Sequence, residues 1–556
     1  MTRIHLVRSA LLVPALALLA VSPAFAGANI VINNVDPPGF GFNDPAPRAP
    51  IGGNPGTTLG QQRLIAFEFA ASVWEAVLES DVDIVIQGAW QPLACTATGA
   101  TLGAAGTLQI FANFPGATFA DTWHHSALAN KLAGVDLTPG PFDPGFQAPP
   151  FNDDITAFFN SRIGTDPACL TGRDWYYGLD NNHGTNINLV SVLMHEFGHG
   201  LGFANFVTEQ TGAQPADLTD VYSRKSLDLT TGQTWDQMTQ AQRAASALRC
   251  DKVVWTGTHV QDKAPEFLQT GAPSLIVSSP ASIAGVYRIG TAAFGPAVGA
   301  PAITKSIVQA LDAADAAGPL TTDGCSALTN AAAVAGKIAM IDRGTCGFTV
   351  KVANAQAAGA KAVLIADNVA GCPPAGLGGA DPAITIPSAR LQLPDANAIK
   401  AQLAGGVNGT LGFNGITLAG ADALDRPQLY MTNPVQPGSS GSHFDTLAFP
   451  NLLMEPAINA DLTLGLDLTA YEMIDIGWDF ATVVIDGCDS GVPNLVLPPP
   501  KLSILQLINA CAAAATNHGK FVSCVSHAMN DLKKDGWISG SQKGAIQSCA
   551  GQADIP

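Results

Sequence analysis

The sequence predicts an α/β (α+β) chain of several domains, and three observations carry that class. An amphipathic helical stretch and alternating strands lead to an apolar helix over residues 191–203. A β-α-β pattern with short connections occupies 336–366. After the run Pro498-Pro499-Pro500 the periodicity turns helical to the end. At 556 residues the chain exceeds what one core holds. With 47% hydrophobic and 13% charged residues it has a core-forming composition, which excludes a disordered chain.

Taken in order, residues 1–26 read as an export signal. Arg3 and Arg8 form a positive start, an apolar run fills 10–21, and Ala24-Phe25-Ala26 has the small-x-small form of a cleavage site. The run is too short for a comfortable membrane span, and no later run is long and clean enough for one. A mature chain would start at Gly27 and be secreted or periplasmic, with no stable membrane insertion. Loss of Arg3 and Arg8 moves the net charge from −18 to −20, which argues against nucleic-acid binding. All ten cysteines follow the signal, an even number that suggests disulfides in an oxidising compartment. Cys95 with Cys169, and a pair among Cys511, Cys524 and Cys549, are the expected bridges.

Residues 27–57 form a Gly, Pro and Asn-rich lead-in with one short strand at 29–33. An amphipathic helix is expected over 58–80, with Ile65, Phe69, Val73, Trp74 and Val77 on its apolar side. Strands are expected at 83–88, 107–113 and 154–160. The triplet Trp123-His124-His125 offers adjacent rings that point apart, so packed or surface histidines are expected there and not ligands. His183 is expected in a loop before the next helix.

That helix contains His195-Glu196-Phe197-Gly198-His199, followed by Gly202. Two histidines four apart share one helix face and can bind one zinc ion, and the glutamate can serve a water there as general base. Ile187, Leu189, Val192 and Leu193 supply apolar helical positions, with Thr185 or Asn186 as the cap. Zinc needs a third protein ligand and an open position. Asn205 stands where a histidine three residues beyond Gly202 would complete the compact pattern, so the ligand comes from elsewhere. His443, followed eleven residues later by Met454, is the candidate.

Ser442-His443, Leu453-Met454-Glu455-Pro456 and the stretch 468–478 ending Asp475-Ile476-Gly477-Trp478 resemble the leishmanolysin-type metzincins. The likeness covers roughly 30–206 and 430–480. It implies a metzincin-like zincin catalytic domain with His195, His199 and His443 as metal ligands. Glu196 would be the catalytic base, with Met454 and Gly202 supporting the site. The blocking cysteine of that family's propeptide has no counterpart before Cys95. Residues 336–368, GKIAMIDRGTCGFTVKVANAQAAGAKAVLIADN, resemble the protease-associated (PA) domain, over about 286–410 and including 384–392 and a helix capped by Asp395. That implies an inserted β-α-β domain that binds protein substrates or gates access to a site.

The expected division is therefore a signal at 1–26, a metalloprotease part at 27–206, an insertion at 207–430, a second metalloprotease part at 431–482, a Pro-rich linker at 483–500 and a small helical Cys-containing domain at 501–556. The expected activity is zinc-dependent endopeptidase action on protein or peptide substrates with one catalytic Zn2+. Calcium suits an acidic exported enzyme, but no loop spells a site; 535–540 lacks the alternating oxygen ligands. Two rival readings stay open. One is a non-catalytic exported binding protein that uses the PA domain on a zincin scaffold. The other is a zinc hydrolase of a non-peptide amide.

Overall fold

The computed structural model describes residues 27–137, 153–299, 301–499 and 503–555. The expected export signal lies outside them.

The first unit is built on a long helix and a sheet. Helix Leu59–Glu75 starts at a capping box in which Thr58 and Gln61 satisfy each other's backbone donors. It buries Phe67, Ala70, Ala71 and Trp74. The expected helix ran on to 80, but Leu78 instead pairs with Phe480 and its carbonyl accepts from the Ala28 N–H. Tertiary pairing there overrides local propensity. Strands Ile30–Asn34, Ile84–Gln91 and Ile155–Asn160 lie parallel in that order, and Gly103–Thr107 closes the sheet antiparallel to the last. The strand expected over 107–113 is displaced. Its Thr107 ends the Gly-Ala strand, whose composition carries no β signal, and Ile110–Phe111 pairs with Thr122–His125 instead.

Residues 207–268 join the same core. Tyr222, Trp235, Trp255, Val260 and Phe267 pack with the helix and sheet residues named above, as do Leu429, Phe444, Leu453 and Trp478 from the other side of the chain.

A second sheet is interposed between these halves. Its strand order is Gly285–Arg288, Thr270–Ser279, Val407–Leu418, Ile303–Gln309, Ile338–Asp342, Ala362–Ala366, Ser388–Leu391, Gly290–Thr291. Ile338 and Met340 face one core, Ala339 and Ile341 the other; Leu364 and Ile365 divide in the same way. Burial on both faces is why these strands read as unbroken apolar runs. Helix Phe348–Ala357 is followed at Gly359 by a left-handed residue, as expected. The helix expected to be capped by Asp395 starts earlier, at Leu393 with Gln392 as its cap. Asp395 sits in its first turn, where a carboxylate suits the positive helix end, and accepts from Gln392.

The third unit begins sooner than the expected linker allows. Residues Thr482–Ile485 and Cys488–Pro493 form a hairpin whose Val483, Ile485 and Val492 pack with helices Ile504–Ala514, His518–Lys534 and Gly540–Gln552. Cys488 is bridged to Cys549, which fastens the hairpin to the last helix. The other bridges are Cys95–Cys169, Cys250–Cys372, Cys325–Cys346 and Cys511–Cys524, so all ten cysteines are paired. No helix among the described residues is long and apolar enough to cross a membrane. The chain is thus a mixed α/β protein of several units.

Candidate metal centre

Helix Leu189–Leu201 is buried along its whole length. Its cap is Asn188, whose side chain accepts from the Val190 N–H at 3.0 Å, and not Thr185 or Asn186. Ile187 is not helical either. It pairs, with Asn188, beside Trp175–Tyr176, and that extended pairing delays the helix by two residues. Gly202 ends it at φ 150°, and a Cβ there would lie 2.3 Å from Ile476 Cδ1. Both the conformation and the close approach require glycine.

His195 and His199 rise from this helix toward His443. The three Nε2 atoms are 3.2, 3.2 and 3.3 Å apart, and all three side chains are buried. Each Nδ1 meets a backbone carbonyl, Leu453 at 2.7 Å, Phe203 at 2.8 Å and Ser439 at 2.8 Å respectively. A carbonyl only accepts, so each Nδ1 carries the proton and each Nε2 a lone pair. Three lone pairs then face one another at short range, an arrangement a cation relieves. The spacing also fits: donors at about 2.0–2.1 Å from a tetrahedral ion stand roughly 3.3–3.4 Å apart. Burial pushes the His195 imidazole down to about 4 and His199 to about 3, with His443 well below its ordinary value, so none competes for a proton near neutrality. Among the described residues this is the one cluster of three or more His, Cys, Asp or Glu side chains arranged to hold an ion.

Glu196 lies beside the triad. Burial raises its carboxyl to about 8, opposed by the Ala105 N–H that it accepts from. The strand Gly103–Thr107 therefore runs directly over it. A Cβ on Gly103 would stand 3.0 Å from the Glu196 side chain. Met454 is fully buried, with Sδ 2.8 Å from where a Cβ on Gly198 would lie, so it packs against the helix between the two histidines.

Two contacts escaped the sequence. The amide side chain of Asn205 donates to Ser442 Oγ at 3.0 Å, and its backbone N–H at 3.2 Å. The residue occupying the compact pattern's third-ligand position thus braces the segment that supplies the ligand. Asp467 accepts from the Leu453 N–H at 2.6 Å and so holds the carbonyl that orients His195. Neither pairing has a local signal: Asn205 and Ser442 lie 237 positions apart, and the Leu453 N–H that Asp467 binds is a backbone group any residue carries.

Trp123-His124-His125 is a buried strand outside the triad. His124 bonds Thr118 and Thr122, and His125 packs against Phe206. His183 lies in a loop, with Nδ1 donating to Asn186 O at 2.9 Å.

Residues 305–399 match the PA domain family. Curated protein sequences yield no match. Among solved structures, the chain resembles an aminopeptidase from Aneurinibacillus sp. strain AM-1 at 19% identity and a TM-score of 0.20, over 35% of this chain and 42% of that one. A zinc aminopeptidase from Bacillus subtilis matches at 19% identity and a TM-score of 0.19, over 38% and 44%. A peptidase M28 precursor from Shewanella amazonensis SB2B matches at 16% identity and a TM-score of 0.19, over 35% and 44%. The chain spans less than half the length of each, and TM-scores this low carry no conclusion about its chemistry.

Proposed function

We propose that the chain is an exported zinc endopeptidase of leishmanolysin-like metzincin type, with the PA domain set between the second and third metal ligands. The observation that carries this reading is the convergence of three buried Nε2 lone pairs within 3.3 Å, next to one buried carboxyl. His195, His199 and His443 would hold the ion, each oriented by a backbone carbonyl. Bound zinc would supply Lewis acidity toward a carbonyl and would acidify a water. Glu196 takes a proton from the attacking water and delivers it to the leaving amine. Met454 supports the floor of the site.

The edge strand favours an extended peptide as substrate. Gly103–Thr107 pairs on one side with Ile155–Asn160 and ends the sheet. A peptide backbone adding to its other side would lie close to Glu196, whose side chain packs where a Cβ on Gly103 would stand. Five disulfides fit an oxidising destination.

The test is casein cleavage by purified chain from Gly27 onward, beside Glu196→Ala, with bound zinc quantified in both. Wild type is expected to cleave and the variant to lose roughly 10²–10⁴-fold in rate, while each holds one zinc. Zinc in both with cleavage in neither would favour a binding scaffold or a non-peptide amide substrate. Wild type without zinc would remove the His443 assignment first.

A further inference from the structure

We infer that the interposed sheet unit, residues 270–418, belongs to the metal centre mechanically, and that its Arg288 is a positioning residue for His443, acting through Asp445. This rests on the reading that three histidines hold a metal, but not on the identity of the substrate.

His195 and His199 are fixed by a helix. His443 is not: between strand Val407–Leu418 and helix Asp467–Ile476 the chain forms only isolated bridges. Its position depends on what grips the segment. Two residues beyond it, Asp445 is fully buried, and Arg288 reaches it from the sheet unit with two parallel bonds, Nη2 to Oδ1 at 2.7 Å and Nη1 to Oδ2 at 2.9 Å. A forked guanidinium fixes the carboxylate in plane as well as in place. Arg288 Nη2 also donates to Thr446 Oγ1 at 3.1 Å, and Nη1 contacts Asp251. The side chain is 7% exposed. All three partners lie outside the unit that carries Arg288, so this buried cation joins the unit to the ligand segment.

The grip passes on to the histidine. Asp445 N–H donates to Gln428 O at 2.9 Å, and the next residue but one on that segment, Tyr430, donates its N–H to His443 O at 2.8 Å. The same junction is tied twice more. Cys250 is bridged to Cys372 of the unit, and Cys372 exchanges backbone hydrogen bonds with Asn433 at 3.1 and 2.9 Å. Removing Arg288 would leave Asp445 buried without its cation and loosen the carbonyl-bracketed His443.

The test follows metal release. Full-length protein loaded with one Zn2+ is mixed with excess chromogenic chelator, for wild type, Arg288→Met, Asp445→Asn, the double variant and Arg343→Met. Thermal unfolding is measured on the same samples. Release is expected to quicken roughly 10–100-fold in each single variant at the latch. The double variant should release no faster than the singles, since both act through one contact. Arg343, which pairs with Asp367 inside the unit, should leave release unchanged. Should Arg288→Met fail to fold, the double variant, which has no stranded buried charge, decides. Release at the wild-type rate from a folded double variant overturns the inference, even if its melting temperature drops, because the latch would then only join two units. Failure of wild type to take up zinc overturns the metal reading instead.

Discussion

His195, His199 and His443 show how single residues acquire a role from their second nitrogen. Each Nδ1 proton is committed to a carbonyl, and that leaves each Nε2 free to bind. The pair on the helix is legible from its spacing alone. The carbonyls of Leu453 and Ser439 are not, since any residue type supplies one. Glu455, next to Met454, carries a separate consequence. Its oxygens accept from the Leu452 N–H at 2.9 Å and from Asn459 at 3.0 Å, yet burial raises its carboxyl to about 8. The folded chain thus keeps a proton that the unfolded chain releases near the ordinary glutamate value. Stability from this group is present at acid pH and falls as pH rises from about 4.5 to 8, by at most about 1.4 kcal/mol per pH unit. In Glu455→Gln, chemical denaturation across that window should show a shallower pH slope; an unchanged slope would place the proton elsewhere.

At the scale of elements, the ligand helix is packed more tightly than its apolar pattern reveals. Gly200 admits Ile155 of the central sheet, whose Cγ2 lies 2.3 Å from where a Cβ would stand. Gly198 admits Met454. The glycines between and after the histidines therefore set the distance from helix to sheet and from helix to the floor of the site. Gly200→Ala is expected to cost about 1–3 kcal/mol by overpacking, read as a lower denaturation midpoint at unchanged slope. No loss would mean that the helix can lift off the sheet freely. Elements with strong local signals are legible in the sequence. Thr58 and Gln61 announce a helix start, and the Ile338–Asp342 and Ala362–Ala366 runs announce buried strands. Gly103–Thr107, the strand nearest Glu196, has no β-branched residue before its last position, and only its pairing with Ile155–Asn160 makes it a strand.

For the whole molecule, the disulfides mark how the units are held. Cys488–Cys549 closes the C-terminal unit across 61 residues, and Cys250–Cys372 ties the PA-containing sheet to the first unit. Replacing Cys488 and Cys549 by serine should remove about 2–4 kcal/mol from the C-terminal unit. It should then unfold in a separate, earlier transition, seen through Trp537, while zinc stays bound. Loss of zinc in step with that transition would show that the units unfold as one. By itself, the sequence determined the motif on its helix and the β-α-β core of the PA domain. These depend on short-range periodicity, on turn chemistry or on a compact motif. Tertiary structure decided what depends on meetings across the chain. It joined 207–268 to the first core, turned 482–493 into a hairpin of the last unit and paired Asn205 with Ser442. It also placed Arg288 against Asp445. A contact between elements leaves no periodicity to read, because packing and charge select it only after the elements have formed.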